Sequence, residues 1–150
     1  MKNEDRFKEY IEDTEVDAVV SYTRAQAWAA SAYKNGSQSA IQYEDQATYK
    51  FIARGFLSDC QGLGNWRHYE VSFLLDFQAK NKRVRILFDK ILMTNIGQQH
   101  GSGGNPVAAL MSSNLPTTKD ELDKIAANCL EPIKATLMKE IQTDKGTKNW

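Results

Sequence analysis

The residues that could take part in acid–base chemistry include His68, which is separated by one residue from Glu70. A histidine beside a carboxylate can act as a general base or as a pH-sensitive switch, because its pKa lies near neutral pH. Catalysis by such a pair also needs a nucleophile, and no serine or cysteine has a spacing that links it to His68. We therefore interpret the pair as part of a polar ladder on the surface of a sheet.

The two cysteines, Cys60 and Cys129, admit two interpretations. They form one disulfide if the protein is exported, or remain two thiols if it is cytosolic. Cys60 falls in a predicted loop, where Arg54 and Arg67 would lower the pKa of its thiol if they approached it in space. Cys129 falls on an apolar helical stripe and is interpreted as a small core residue. A bridge requires proximity that the linear sequence does not establish.

A glycine-rich stretch, 98–104, surrounds His100. Backbone N–H groups of such loops can bind phosphate. The Gly-Lys-Ser/Thr sequence of a phosphate-binding loop does not follow, and the next predicted helix begins more than ten residues later. We therefore interpret 96–117 as a mobile loop. No CxxC motif or Cys/His cluster indicates a metal site, and no cofactor is predicted. With no catalytic residue assigned, the chain is predicted not to be an enzyme.

The elements that would position these residues centre on a long hairpin. Apolar and polar residues alternate from Trp66 to Phe77, and the alternation resumes from Val84 to Phe88 after a polar turn at Lys80-Asn81-Lys82. Period-two alternation in two runs predicts paired strands, here near 66–80 and 83–94. A hairpin alone is at best marginally stable, so its apolar face needs a cover.

The rest of the chain predicts that cover. Two further strands are expected near 40–45 and 49–58, with a shorter one near 7–12. Helices are expected over 14–34 and 118–142, each opened by a capping residue or capping box, at Thr14 and at Thr118–Glu121. Pro132 should kink the second helix or divide it, because proline lacks the backbone N–H.

The predicted fold is α+β in the order β-α-β-β-β-β-α. The four later strands form an antiparallel meander, the strand near 7–12 lies at an edge, and both helices cover one face. One domain spans 1–150, with a frayed tail at 143–150. The residues expected to be buried together are Trp28, Tyr69, Val71, Phe73, Leu75, Val84, Ile86, Phe88, Ile125 and Ile133.

The composition narrows the possible partners and location. Nineteen basic and nineteen acidic residues give a net charge of zero, so nucleic acid is not an expected partner. No apolar run reaches the length of a membrane span. The first six residues lack the apolar region of a signal peptide, although Met1 could stand in place of a removed leader.

Four local strings carry a resemblance to a known family: Tyr22–Trp28, Ile41–Asp45, Ala53-Arg54-Gly55 and Lys80–Arg85. Together they span roughly 7–95 and resemble a bacterial family of unknown function with a TATA-binding-protein-like (TBP-like) fold. The turn departs from the family's usual Lys-Asp-Gly-Arg pattern at Asn81-Lys82. The resemblance implies this fold and, because most members are exported proteins or lipoproteins, a periplasmic or secreted location. It implies no catalytic residue. A cytoplasmic location is the alternative.

The face of the predicted sheet opposite the helices, the open face, carries the candidate interface. Its basic residues are interspersed with acids, namely Glu44, Glu70, Asp76 and Asp89, and it also carries large apolar residues, including Ile91. Contiguous apolar groups of this kind indicate a partner or self-association. The candidate interface residues are Ile52, Arg54, Phe56, Trp66, His68, Leu74, Arg83, Arg85 and Leu87.

These observations predict a non-enzymatic envelope protein that binds a protein partner, or a second copy of itself, through the open face. Trp66 is the expected anchor of that contact. A cytosolic immunity-type inhibitor is one alternative, and a hydrolase that uses Cys60 or His68 is another. If the segment 96–116 folds back over the open face, it covers the apolar residues without any partner.

Overall fold

The computed structural model describes residues 6–34, 39–60, 69–95, 113–114 and 119–142. Along the chain, strand β1 (Lys8–Asp13) precedes helix α1 (Ala18–Ala32), and four strands follow. These are β2 (Ile41–Asp45), β3 (Lys50–Cys60), β4 (Tyr69–Lys80) and β5 (Arg83–Asn95). A two-residue strand, β6 (Ser113–Asn114), comes next, and the described helices at the C-terminal end are α2 (Lys119–Ile125) and α3 (Glu131–Gln142).

The described strands form one antiparallel sheet in the order β1-β5-β4-β3-β2, and β6 pairs with the end of β5. Strands β2 to β5 follow one another as a meander, and β1 occupies the edge next to β5. Helix α1 therefore carries the chain from one edge of the sheet to the other. The predicted α+β architecture and the predicted edge position of the first strand are confirmed.

The core lies between the sheet and the helices, on the face of the sheet that we call the inner face. Side chains alternate across a strand, so every second residue of β4 is buried there. Eight of the residues predicted to be in the core are buried, namely Tyr69, Val71, Phe73, Leu75, Val84, Ile86, Phe88 and Ile125. Trp28 and Ile133 are only partly buried, so that part of the prediction is wrong. Trp28 lies edge-on against Tyr33, with ring centroids 5.5 Å apart, and packs against the border of the core.

Helix α1 begins at Ala18, four residues later than predicted, and its N-cap is Asp17. Thr14 is buried and does not cap the helix. Its Oγ1 accepts a hydrogen bond from the backbone N–H of Val16 at 3.3 Å, and its own N–H donates to the carbonyl of Lys82 at 3.0 Å. The hydroxyl thus shapes the turn out of β1, because a threonine can bond a backbone group two residues on.

The C-terminal helix, which we define as α2, a π turn at Ala126–Leu130 and α3, stays helical throughout. Pro132 therefore does not divide it. Proline lacks the backbone N–H that would bond the carbonyl four residues earlier, here that of Asn128. Asn128 lies within the π turn, so the widened turn is located where this helical hydrogen bond is missing. The irregularity expected from Pro132 is present as this π turn.

Cys129 lies in the π turn and forms a disulfide with Cys60, the last residue of β3. The Cα atoms are 5.9 Å apart, within the usual range for a bridge, and both residues are buried. The disulfide joins the end of β3, which lies between β4 and β2 in the sheet, to the C-terminal helix. Of the two interpretations of the cysteines, the structure contains the bridge.

A β-bulge corrects the prediction for Ile91. Between β4 and β5 the register shifts by one residue after Asp89, and Lys90 has a φ of 50°. The extra residue exchanges the faces of the residues that follow. Ile91 therefore points to the inner face and is fully buried, and Leu92 takes the open face in its place.

A second register shift, between Ile41 and Tyr43, corrects the prediction for Glu44. Glu44 is the register partner of Phe51, whose side chain is buried on the inner face. It accepts a hydrogen bond from Gln26 of α1 and so does not belong to the open face. Tyr43, the partner of Ile52, lies on the open face instead.

Some predictions concern residues outside the described ranges. These residues are Trp66, His68, most of the predicted loop 96–117, and the tail 143–150. Within that loop, residues 113–114 are described and pair with β5.

Candidate interaction face

The open face is built from alternate residues of five strands. Leu74, at the middle of β4, has Arg54 of β3 on one side and Asp89 of β5 on the other. Described residues assigned to this face by alternation and register are Glu9, Ile11, Asp13, Tyr43, Asp45, Lys50, Ile52, Arg54, Phe56, Glu70, Ser72, Leu74, Asp76, Gln78, Lys80, Arg83, Arg85, Leu87, Asp89 and Leu92.

The register arranges these residues in rows that run across the strands. One row, which we call the central row, contains Glu9, Leu87, Asp76, Ile52 and Tyr43. The next row, which we call the lower row, contains Ile11, Arg85, Gln78, Lys50 and Asp45. Residues in neighbouring rows on adjacent strands are diagonal neighbours and lie within reach of long side chains.

Acids and bases alternate from strand to strand across these two rows. Arg85 donates from Nε to Oε2 of Glu9 at 2.7 Å, and its Nη1 lies 3.9 Å from Oδ1 of Asp76. On the other side of Asp76, Nζ of Lys50 lies 3.8 Å from Oδ2. The order from β1 to β3 is therefore acid, base, acid, base.

Asp76 is the most enclosed charge of this group, with a side chain that is 15% exposed. Its Oδ1 is buried and has no hydrogen-bond partner among the described residues. The ion pairs to Arg85 and Lys50 exceed the length of a direct hydrogen bond, so they leave the carboxylate with acceptor capacity. A carboxylate in this condition is costly to bury further unless a donor reaches it.

Large apolar residues stand among the charges. Ile52, Leu74, Leu87 and Leu92 are half-buried. Towards the two edges of the sheet, Ile11 is 59% exposed and Tyr43 is 50% exposed. The open face is thus a mixed surface in which apolar side chains extend from one edge strand to the other.

Phe56 lies apart from the other candidate residues. Its side chain is 40% exposed, and its ring centroid lies 5.8 Å from that of Tyr33, which follows α1. At this position β3 extends past its register pairing with β2, so Phe56 contacts a residue of the helix-covered side. We place it at the rim of the open face.

The structure brings most of the predicted interface residues together. Ile52, Leu74 and Leu87 lie within two adjacent rows, with Arg54 and Arg85 beside them. Arg83 lies at the hairpin end, where its Nε donates to Asp13 at 3.1 Å. Neither Trp66 nor His68 can be placed, since they lie outside the described residues.

Sequence reasoning did not place Glu9, Ile11, Tyr43 or Leu92 on this face. The alternation of β1 already placed Glu9 and Ile11 on one side of that strand, but not next to Arg85 and Leu87. That neighbourhood depends on pairing between β1 and β5, whose paired residues lie 70 to 80 positions apart in the sequence. Tyr43 and Leu92 depend on the two register shifts, and no residue type in either stretch signals a bulge.

Cys60 was the candidate nucleophile, and the structure removes its free thiol. It is bonded to Cys129 and buried, so no thiolate is available in this oxidised form. Among the described residues, no group of three or more His, Cys, Asp or Glu side chains could hold a metal ion. No helix in the described part of the chain is long and apolar enough to cross a membrane.

The edge strand β1 is attached to the C-terminal helix by polar contacts on the inner face. Lys8 forms an ion pair with Asp123, and Nζ of Lys134 lies 2.8 Å from Glu12 and 4.6 Å above the ring of Tyr10. Burial, assisted by Glu131 and Asp123, raises the pKa of the Tyr10 hydroxyl to about 12. The hydrogen bond from Lys8 lowers the pKa of Asp123. These contacts hold β1, and with it Glu9 and Ile11, at the edge of the open face.

A shallow cleft lies at the hairpin end of the sheet, beside Arg83. It is lined by Asp13, Thr14, Glu15, Lys80, Asn81, Lys82 and Arg83. Acids and bases are mixed in this lining, and Arg83 is already paired with Asp13. The cleft therefore shows no preference for a ligand of one charge.

Two solved structures have the same fold. A TBP-like protein from Parabacteroides distasonis is similar with a TM-score of 0.63 over 97% of this chain and 97% of that chain, at 14% sequence identity. A DUF4468 family protein from Bacteroides ovatus is similar with a TM-score of 0.53 over 92% of this chain and 86% of that chain, at 10% identity. No protein-family profile and no curated protein matches the sequence. The TBP-like fold implied by the sequence resemblance is therefore confirmed, and these likenesses extend to the fold alone.

Proposed function

We propose that this chain is a non-enzymatic protein-binding module of the bacterial envelope that acts through its open face. The observation that carries the proposal is the apolar set on that face. Ile11 and Tyr43, at opposite edges, are at least half exposed, and Leu87 and Ile52 lie between them. Apolar side chains that continue across a face and are surrounded by charges resemble the core and rim of a protein interface.

The charges on the open face favour a protein partner over a nucleic acid. Arg85 and Lys50 each stand beside Asp76, and Arg83 is paired with Asp13. A surface that binds phosphates needs unpaired bases, because binding is driven by the replacement of counterions. Here three bases are paired with acids, and the described residues of the open face include six acids and five bases, so the face has no excess of positive charge.

The disulfide supports the envelope as the compartment. Bridges between buried cysteines form and persist in oxidising compartments and are rare in the cytosol. Cys60 and Cys129 are joined in this way. The same bridge weighs against the cytosolic immunity-type inhibitor and against Cys60 as a hydrolase nucleophile. A hydrolase that uses His68 would need a separate nucleophile within hydrogen-bond reach of that residue.

The test is site-specific photo-crosslinking in the native host. Leu87 is replaced by p-benzoylphenylalanine, and the matched control carries the same group at Val19 of α1. Val19 is 51% exposed and lies on the opposite side of the molecule from the open face. The proposal predicts a discrete adduct from position 87 and none from position 19. Equal labelling at both positions, or no adduct at 87, would contradict it.

The compartment is tested separately by thiol labelling in intact cells. Acid quenching followed by alkylation of free thiols should leave Cys60 and Cys129 unmodified, and fractionation should recover the protein outside the cytosol. Two alkylated thiols in a cytosolic fraction would contradict the envelope location without bearing on the open face.

A further inference from the structure

We propose that the partner of the open face is the open face of a second copy of this chain, in a two-fold symmetric dimer. This inference rests on the proposed function, because it names the occupant of the same surface. Three features support it: the order of the charges, the balance of charge and the size of the face.

The order of the charges makes the open face complementary to itself. From β1 to β3 the charges read Glu9, Arg85, Asp76, Lys50. A two-fold axis along the strands, between β5 and β4, places β1 over β3 of the other copy and β5 over β4. Each strand that contributes an acid to these two rows then faces one that contributes a base, as an isologous interface requires. At the hairpin end, Arg83 faces Lys80 of the other copy, and the ion pair of Arg83 with Asp13 offsets this like-charge contact.

In this arrangement opposite charges are offset by one row, because Glu9 and Asp76 lie in the central row and Arg85 and Lys50 in the lower row. One row corresponds to two residues along a strand, or about 7 Å. Arginine and lysine side chains can span such a distance. Glu9 then gains a second base, Lys50 of the other copy, and Asp76 gains Arg85 of the other copy.

The balance of charge permits two copies to meet. The chain has nineteen bases and nineteen acids, so the copies do not repel each other through their net charge. A surface of one predominant sign would instead select a foreign partner of the opposite sign. The charges of the open face alternate in sign from strand to strand, so a complementary surface must also alternate. A second copy supplies such a surface, because the two-fold axis reverses its strand order.

The size of the face is adequate for a dimer. The four strands that face each other in this dimer, β1, β5, β4 and β3, are 6 to 13 residues long, and β2 lies beyond the overlap. At about 3.3 Å per residue and about 4.8 Å between strands, these four strands present about 650 Å² of flat sheet, to which the projecting side chains add accessible area. Stable protein interfaces bury about 800 Å² on each partner, and two sheets pack with their strands about 30° apart.

The experiment is a charge exchange followed by sedimentation equilibrium of the oxidised chain. Lys50→Glu and Glu9→Lys each create two like-charge contacts in a homodimer. A mixture of the two variants restores both opposite-charge contacts in a heterodimer. Lys34→Glu, at an exposed position that follows α1, makes the same change in net charge as Lys50→Glu but away from the open face. Thermal midpoints of all variants show whether each one is folded.

The expected result is a wild-type dimer with a dissociation constant below about 100 μM. Each of the two open-face variants dissociates at least about tenfold more readily, their equimolar mixture recovers wild-type affinity, and Lys34→Glu remains dimeric. If either variant does not fold, Ile11→Lys takes its place, because position 11 is 59% exposed and in this dimer faces Lys50 of the other copy, which a second ammonium group repels.

Two outcomes overturn the inference. The first is a wild-type chain that stays monomeric at about 200 μM, and the second is a dimer that none of the open-face variants weakens. Crosslinking at position 87 distinguishes this failure from failure of the proposed function. An adduct with the mass of a foreign protein leaves the open face as a binding surface with another partner, whereas absence of any adduct removes both proposals.

Discussion

The two faces of one sheet carry different kinds of side chain and different consequences for the protein. On the inner face of β4, Phe73 and Leu75 are enclosed by rings and helices. On the open face of the same strand, Leu74 and Asp76 are only partly covered, and Asp76 keeps acceptor capacity. Because side chains alternate along a strand, inner-face and open-face residues are direct neighbours in the sequence. Phe73 and Leu75 therefore stabilise the fold, whereas Leu74 and Asp76 are available for contact with a partner.

Adjacent substitutions on opposite faces test this separation with the largest expected effect. Phe73→Ala should lower the free energy of unfolding by about 3–5 kcal/mol, since it leaves a cavity beside Phe88, whose ring centroid is 5.1 Å away. Leu74→Ala should cost only about 1 kcal/mol, because Leu74 is half-buried. Urea denaturation of both variants measures the difference. Similar costs for the two would show that the open face is as enclosed as the inner face.

Removal of the disulfide is the next largest effect. A bridge across 69 residues restricts the unfolded chain strongly, so the double variant Cys60→Ser with Cys129→Ser should lose about 2–4 kcal/mol. The disulfide lies on the inner face, and for that reason we expect the loss in stability without a change in contacts at Leu87. Denaturation with and without reductant provides the control: reductant should destabilise the wild type and leave the double variant unchanged.

Gly55→Ala tests how closely the inner face is packed. A Cβ at this position would lie 2.4 Å from Cε1 of Phe73, and the buried ring has little room to move. We expect a loss of about 1–3 kcal/mol from overpacking. Ser58→Ala, at an exposed position of the same strand, is the matched control and should be close to neutral. If the double variant Gly55→Ala with Phe73→Ala shows no coupling, the ring is not the cause.

The smallest expected effect is a decline of stability at alkaline pH that depends on Tyr10. Its pKa is about 12 in the folded chain and close to 10 when unfolded. The folded state therefore holds this proton more strongly, and stability decreases as the pH rises from 10 to 12. Tyr10→Phe should make that decrease shallower. Thermal midpoints at pH 9 and pH 11 measure it, and an identical pH dependence in the variant would show that the Tyr10 hydroxyl is not responsible.

The sequence predicted the strands well where one face is apolar throughout. From Tyr69 to Ala79 every second residue is buried, and period two determines the face of each one. Prediction failed where the backbone departs from that period. At Lys90, a residue with no special turn preference adopts a positive φ and exchanges the faces of Ile91 and Leu92. No local pattern encodes such a shift.

The sequence also did not predict which distant segments of the chain lie close together in the fold. Joining Cys60 to Cys129 depends on where the C-terminal helix crosses the sheet, which neither segment specifies alone. The open face was anticipated in its central strands, where Ile52, Leu74 and Leu87 were named. Its edges were not, because Ile11 and Tyr43 join it only through pairing of β1 with β5 and through the register shift in β2.

The central claim is that the open face makes contacts that the fold does not need. The direct measurement places p-benzoylphenylalanine at position 11 and compares the otherwise unaltered chain with one that also carries Leu87→Gln, a neutral polar change at a site that lies between Glu9 and Asp76. The account predicts that Leu87→Gln greatly reduces the adduct from position 11 and leaves the thermal midpoint within about 4 °C of that of the chain without it, a change of about 1 kcal/mol. An undiminished adduct in a folded Leu87→Gln chain would contradict it.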